Sequence, residues 1–448
     1  SMLFTFFTGW LNTVCNYILL KVMFKSFIFE IHGVMLYFSN LKFSKYLLTT
    51  LSLINIMKLR SNIICKYVYR TDGGVRMDNV FIDSVDTYVC DLPVKRPHQL
   101  SMTTITTQAI VITIIKDKSG RTGVSEVATI GGASYGDSTV EAIKANIDKY
   151  ISPHLLEQNP MHFNRIMTTV SKYVRGNYFA KAAIETALID LAAKQREIPA
   201  YALFGGKIHD SLPLAWTLAS GDTTKDIEEA QEMLHARRHN IFKLKIGHGD
   251  PEANVNHVGE IIKAVGDQSR ITVDINQAWD EYTASKQIRA LEEMGVSMIE
   301  QPLSTWNYEG MKRLTEKFDV SILADESTTS LHDTYRIIKE RAGDAVALKP
   351  AKHGGILETK KIAGIAEAAG FGIYGGTMIE STVGNAIAAS VYSTISEFKF
   401  GTEIFGPLLY QDKLTLEDIK VEDFEIKIPD DIGFGSTLDY DKLKHYKR

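Results

Sequence analysis

The sequence predicts an α/β protein in which a closed barrel of parallel strands and helices follows a smaller α+β unit. Three observations predict it. Short apolar segments alternate with polar helical ones through the second half of the chain, the pattern of βα units in a parallel sheet. Eight such segments follow one another, LPLAWTLA, IFKLKIG, ITVDINQ, SMIEQP, SILADES, AVALKPA, FGIYGGT and FKFGTEIF, the number that closes a barrel. Charged residues interrupt these segments near their carboxyl ends, at one repeating place.

Taken in order, the α+β unit opens with strand-like stretches at 80–89, 107–115 and 123–129, separated by turn residues. A helix is predicted over 179–196, with Phe179, Ala183, Ala187, Leu188 and Leu191 on one face and Pro199 closing it. The unit occupies residues 77–206 and the barrel residues 207–407. Residues 408–448 return to mixed strand and loop and fold back onto the first unit.

Composition bounds the function. A chain of 448 residues, 45% hydrophobic and 23% charged, has the make-up of a soluble globular protein with room for several domains. A net charge of −4 gives no reason to expect nucleic acid as a partner. Cys15, Cys65 and Cys90 are scattered without CxxC spacing, so neither a disulfide framework nor a zinc site follows, and a reducing cytoplasm suits them. Residues 1–76 stand apart: nine Lys and Arg against Glu30 and Asp72 give a net of +7, leaving −11 for the remainder. Residues 2–20 carry no charge, a length that can span a bilayer. Interior Thr and Asn, the lack of a preceding basic region and the lack of a small-residue cleavage site argue against an anchor or a leader.

The charges in the barrel segments carry the chemistry. Lys243 and Lys245 fall in the second segment, Asp274 in the third, Glu300 in the fourth, Asp325 in the fifth, Lys349 in the sixth and Glu403 in the eighth. The gaps from Lys245 to Lys349 are 29, 26, 25 and 24 residues, each about one βα unit. Every charge therefore sits on the rim where barrel active sites lie. One such residue is as readily a buried ion pair, but a barrel interior is filled by apolar side chains and an unpaired buried charge is costly. Charges repeated at one level converge on something. Three carboxylates from consecutive strands form an oxygen-rich site that suits Mg2+ or Mn2+ rather than zinc. Lys243 and Lys245, two apart on a strand, point to the same face, and Lys349 stands four strands further on. A lysine beside a divalent cation and a second lysine should have its pKa lowered, so that it exchanges protons near neutrality. The set is suited to moving a proton on or off carbon beside a carboxylate, with the cation stabilising the enolate.

FKLKIG, VDINQAWDE, IEQP, ADES, ALKPAKHGG, GGTMIES and GTEIFGPLL resemble, in order and spacing, the muconate-lactonizing enzyme (muconate cycloisomerase) family of the enolase superfamily. RPHQLSMTT, ATIGGASYG, RGNYFAKAAIETAL and LPLAWTLASGDT resemble the same family. The resemblance runs from Met77 to the last residue and skips residues 1–76, which read as a non-homologous extension, disordered or the product of a start assigned too early.

The resemblance implies a modified (β/α)7β TIM-like barrel under an α+β capping domain. It also implies metal-dependent, reversible lactonization of cis,cis-muconate to muconolactone through an enolate. By this likeness Asp274, Glu300 and Asp325 hold Mn2+ or Mg2+, and Lys245 protonates the enolate carbon. Lys243 assists it, Lys349 faces the other side of the substrate, and Glu403 contacts the bound carboxylate. Substrate binding is implied for Ile130, Tyr135, Asn276, Lys352, Glu380 and Phe405, of which Ile130, Lys352 and Phe405 are the muconate-type choices. A homo-oligomer, specifically an octamer, fits the family, with a small dicarboxylate as its partner. Lys349 in place of a His–Asp dyad points away from the mandelate racemase branch, and Thr402-Glu403-Ile404 replaces the Asp-x-Asp of dipeptide epimerases. Pro350 and the STVGN run after Glu380 depart from the family's usual residues. Chloromuconate cycloisomerase, o-succinylbenzoate synthase and amino-acid-derivative racemase or epimerase activities share the same lysines and metal site. From another class, a membrane-tethered, non-catalytic barrel would have no use for so many retained charges.

Overall fold

The computed structural model describes residues 80–448. The extension and anchor readings for residues 1–76, and Cys15 and Cys65, lie outside the described residues. Among the described residues no helix is long and apolar enough to cross a membrane.

β-Branched residues dominate the middle strand of an antiparallel meander of β1 (Ile82–Gln99), β2 (Thr104–Asp117) and β3 (Thr122–Ala128). The strands run longer than the apolar runs imply, because backbone pairing continues past them. The β1–β2 register slips between Pro93 and His98, where proline has no N–H to give the ladder. The Pro93 carbonyl instead accepts from the Gln411 N–H at 3.0 Å. Beyond the slip, Arg96 forks onto Glu229 of the barrel helix Thr223–His235, with Nε and Nη2 donating at 2.9 and 2.8 Å.

Helix Tyr178–Arg196 packs on β2 and β3. Its sequence reads as amphipathic, yet Phe179 through Ala193 are all buried. The helix is enclosed by the sheet on one side and by barrel segments on the other, and its many alanines allow close approach. A side chain at Gly123 would meet the Ala187 carbonyl at 2.1 Å. The helix ends in the left-handed turn at Glu197 (φ 56°), ahead of Pro199.

After β4 (Ser211–Pro213), seven parallel strands form the barrel wall: β5 (Ala215–Leu218), β6 (Ile241–Lys245), β7 (Arg270–Asp274), β8 (Met298–Glu300), β9 (Ser321–Ala324), β10 (Ala345–Leu348) and β11 (Gly372–Gly375). Two expected strands differ. LPLAWTLA is divided, since β4 leaves the barrel to pair with β13 (Glu425–Lys427), which also pairs with β12 (Val421–Glu422). FKFGTEIF contracts to one residue, Thr402, bridged in parallel to Leu214 on one side and Gly375 on the other. Gly401, at φ 84°, turns the chain there. Backbone bonds from Ala215 N to Thr402 O (2.7 Å) and from Glu403 N to Gly375 O (2.6 Å) join both edges of the sheet and shut the ring. The architecture is the TIM-like barrel with an α+β capping domain.

The tail crosses back along β1, where the Arg448 N–H donates to Val89 O at 3.0 Å, and helix Tyr440–Tyr446 lies against the same strand. Inside the barrel, Met298, Leu323, Ala345, Ala347, Tyr374 and Phe400 form a separate buried cluster. Strand alternation sends the next same-facing residues, Glu300, Asp325 and Lys349, into the layer above it.

Candidate active site

Five adjacent strands carry, around the rim, Lys245 at the end of β6, Asp274 at the end of β7, Glu300 at the end of β8, Asp325 just after β9 and Lys349 just after β10. Lys243 lies one step deeper on β6. All six are buried except Lys245, which is partly exposed. Lys245 Nζ donates to Asp274 Oδ2 at 2.5 Å. Lys243 Nζ lies 2.9 Å from Glu300 Oε2, 2.5 Å from Glu403 Oε2 and 3.7 Å from Asp274 Oδ2. Lys349 Nζ donates to Asp325 Oδ2 at 2.6 Å and to the Tyr135 hydroxyl at 3.0 Å, and that hydroxyl donates to the same carboxylate oxygen at 2.8 Å.

Burial and like charge set the electrostatics. Burial, reinforced by Asp274, raises the Glu300 carboxyl to about 8. Glu326 is pushed up to about 7 by burial and by Asp325. Asp325 goes the other way: burial would raise it, but Lys349 and Lys352 hold it well below the usual carboxylate range. Burial alone would lower the Lys243 ammonium, yet Glu300 and Glu403 outweigh burial and hold it well above its usual value. Lys349 is raised in the same way, by Asp325 and Glu300. The lowered lysine pKa expected from the sequence presupposes a nearby cation. With carboxylates as the only neighbouring counter-charges, the sign is reversed for these two.

As the side chains stand, no group of three acid, histidine or cysteine side chains among the described residues is arranged to hold one ion. Each expected ligand is turned onto a lysine instead. The donor set still fits a hard divalent cation. Asp274 and Glu300 are register partners on neighbouring strands, and Glu300 Oε1 and Glu326 Oε2 are buried without any hydrogen-bond partner. Orphaned carboxylate oxygens among mutually repelling acids are what such a cation satisfies.

The remaining expected residues divide. Ile130 and Tyr135 are buried on the loop after β3, with the Lys349 ammonium 4.5 Å from the Tyr135 ring centroid. Phe405 is buried against Trp216, ring centroids 4.9 Å apart. Asn276, at φ 44°, donates through Nδ2 to Asp274 Oδ2 (3.3 Å) and Glu326 Oε1 (3.1 Å). Lys352 is enclosed: its ammonium contacts Asp325 O and Oδ1, Thr328 Oγ1 and Ala347 O at 2.6 to 3.3 Å. It fixes Asp325 in place. Glu380 accepts from Thr377 Oγ1 (2.7 Å) and Met378 N (2.8 Å), so its carboxylate holds its own loop.

Sequence reasoning missed several members. Glu326 was visible as the second acid of ADES. Thr217, whose hydroxyl donates to Glu403 Oε1 at 2.5 Å, and Tyr374, whose ring lies 4.9 Å from Lys243 Nζ, gave no signal, being ordinary strand residues. Gln301 Oε1 accepts from the N–H groups of Asp325 (3.0 Å) and Ser327 (3.2 Å), bracing the turn after β9.

Comparison with known proteins agrees with this layout. Residues 84–205 match the mandelate racemase / muconate lactonizing enzyme N-terminal domain, and residues 225–442 the enolase C-terminal domain-like family. A chloromuconate cycloisomerase of Cupriavidus necator is 44% identical over 367 residues, covering 82% of this chain and 99% of that protein. Muconate cycloisomerase 1 of Acinetobacter baylyi is 43% identical over 366 residues, with the same coverage of 82% and 99%. Among solved structures, a muconate lactonizing enzyme from Pseudomonas fluorescens complexed with muconolactone superposes with a TM-score of 0.82 at 43% identity, covering 83% of this chain and 100% of that one.

Proposed function

The chain belongs to the mandelate racemase / muconate lactonizing enzyme family of the enolase superfamily, and on that premise we propose that it is a muconate cycloisomerase. The observation that carries this reading is the arc Lys245, Asp274, Glu300, Asp325, Lys349 on five adjacent strands, a lysine at each end of three carboxylates. In the proposed reaction one carboxylate oxygen of cis,cis-muconate adds across the conjugated double bond. A C–O bond forms, and the electron pair moves onto the carbon beside the other carboxylate as an enolate. Lys245 delivers a proton to that carbon, and in reverse removes it. Lys243, tied to Glu300 and Glu403, keeps a fixed positive charge beneath the reacting carboxylate. Lys349 stands at the opposite end of the arc, oriented by Tyr135 and Asp325. Asp274, Glu300 and Asp325 would hold a divalent cation, Mn2+ or Mg2+, which supplies charge neutralisation for the developing enolate. Ile130, Lys352 and Phe405, the muconate-type choices by the family resemblance, support the unchlorinated substrate. We propose further that the enzyme works as a cytoplasmic homo-oligomer in the breakdown of aromatic compounds.

The second reading is chloromuconate as preferred substrate, favoured by the 44% identity to a chloromuconate cycloisomerase. Substrate loss followed in the ultraviolet with manganese present, for cis,cis-muconate and a chloromuconate in parallel, separates the two. One ring or methyl contact is worth about 1–3 kcal/mol of discrimination, so slow turnover of the chlorinated substrate is expected. A higher kcat/KM for chloromuconate would replace the first reading with the second.

A further inference from the structure

Outside the barrel mouth, a cleft of about 590 Å3 lies between the capping domain and the barrel's outer helices. One wall is the helix Phe163–Tyr173 and the start of Tyr178–Arg196, and the other includes residues 353–361. None of the rim residues lines it. Its charged lining is four cations, Lys172, Arg175, Lys181 and Lys361, against two acids, Glu185 and Glu358.

Both acids are already engaged. The Glu185 carboxylate accepts the N–H groups of Ile356 and Leu357 at the start of helix Ile356–Ala368. Glu358 is paired with Lys361 at 2.5 Å. Lys172, Arg175 and Lys181 form no ion pair with a carboxylate among the described residues. Lys181 matters most. It is only 8% exposed, and its ammonium makes no hydrogen bond among the described residues, lying 5.8 Å from the Tyr178 ring centroid. Burial and the neighbouring Arg175 disfavour its charged form, and Glu358 offsets them only in part. Its ammonium opens onto a cleft whose lining carries more cations than acids, and a cation with no hydrogen-bonded or ion-paired partner is favoured by an added counter-charge. An anion drawn from solution would supply that counter-charge.

We propose that this cleft is a binding site for a small oxyanion, a phosphate or carboxylate group, seated on Lys181 and Arg175 with Lys172 at the mouth. Guanidinium and ammonium groups lining one cleft suit the several acceptor oxygens of such a group. The site is independent of the barrel chemistry, and its failure would leave the proposed reaction untouched.

The test titrates inorganic phosphate, and separately the saturated dicarboxylate adipate, into the purified full chain by calorimetry at low ionic strength. Lys181→Met and Arg175→Gln are titrated in parallel. Arg175 is exposed, so its variant keeps the test informative if the buried substitution impairs folding. One saturable phosphate per chain is expected, weakened at least tenfold in both variants, with muconate turnover unchanged. One adipate fewer per chain in the variants than in wild type would extend the site to carboxylates. An unchanged adipate count, with phosphate binding lost, would restrict it to phosphate-type anions. No saturable phosphate binding to the wild-type chain, or equal affinity in wild type and variants, would overturn the proposal.

Discussion

Replacing Lys245 with alanine tests the proposed proton-transfer step, because the structure limits what else is disturbed. Its ammonium lies 2.5 Å from Asp274 Oδ2 and 3.4 Å from Asn276 Oδ1. Losing it does not strand Asp274. Lys243 remains 3.7 Å from the same oxygen, and the Asn276 N–H still donates to Asp274 Oδ1 at 2.9 Å. The carboxylate therefore keeps its orientation, and divalent-metal affinity should change little. In the proposed reaction the reacting carbon loses its acid. A positioned general acid contributes roughly 10²–10⁴ in rate, or about 3–5 kcal/mol of barrel-bound barrier at about 1.4 kcal/mol per decade. We expect kcat to fall by two to four orders of magnitude on that scale, read as ultraviolet loss of cis,cis-muconate. In deuterium oxide the wild-type enzyme should label one face of the lactone side-chain carbon only, and residual Lys245→Ala turnover should lose that selectivity. Normal turnover in Lys245→Ala, combined with loss of stereospecific labelling in Lys349→Ala, would exchange the roles of the two lysines.

Three further outcomes are expected. Exhaustive chelation should abolish turnover, and Mn2+ or Mg2+ should restore it, while Asp274→Asn, Glu300→Gln or Asp325→Asn should lose activity with the far-ultraviolet circular dichroism intact; full activity after chelation would refute the metal assignment. A chain starting at Met77 should keep its kcat, its metal requirement and its Tm within a few degrees, since the family matches begin at residue 84; a large loss would give residues 1–76 a part in the enzyme. Burial raises Glu185 from the ordinary 4.5 to about 8, so the folded state holds this proton more tightly than the unfolded chain. Its contribution to stability is present below about pH 4.5 and is lost as pH rises toward about 8, an effect on the order of a few kcal/mol. Glu126, raised by burial to about 7, acts in the same direction. Glu185→Gln should therefore flatten Tm against pH between these limits, and an identical pH slope in variant and wild type would refute the linkage.

Most of the barrel and its rim were legible in the sequence, for a physical reason. A charge inside an apolar strand is too costly to occur by accident, and a repeat near 25 residues is the length of a βα unit, so Lys245, Asp274, Glu300, Asp325 and Lys349 announced both the architecture and the level of the site. Alternation along β6 likewise placed Lys243 on the same face as Lys245. What the pattern could not carry is pairing between residues far apart in the chain. Thr402 closes the ring as a single bridged residue because both neighbouring edges reach it, and of that contraction FKFGTEIF shows only the turn-forming Gly401. Lys352 and Glu380 had the composition of substrate ligands, yet the fold directs the one onto Asp325 and the other onto its own loop. Lys181, an ordinary helical lysine by sequence, comes to line a cleft with most of its side chain covered only because capping domain and barrel close around its helix. The sequence by itself determined which strands carry charge and on which face. The tertiary structure decided which of those charges meet each other and which remain free, because that depends on the distances across the barrel and between its two layers.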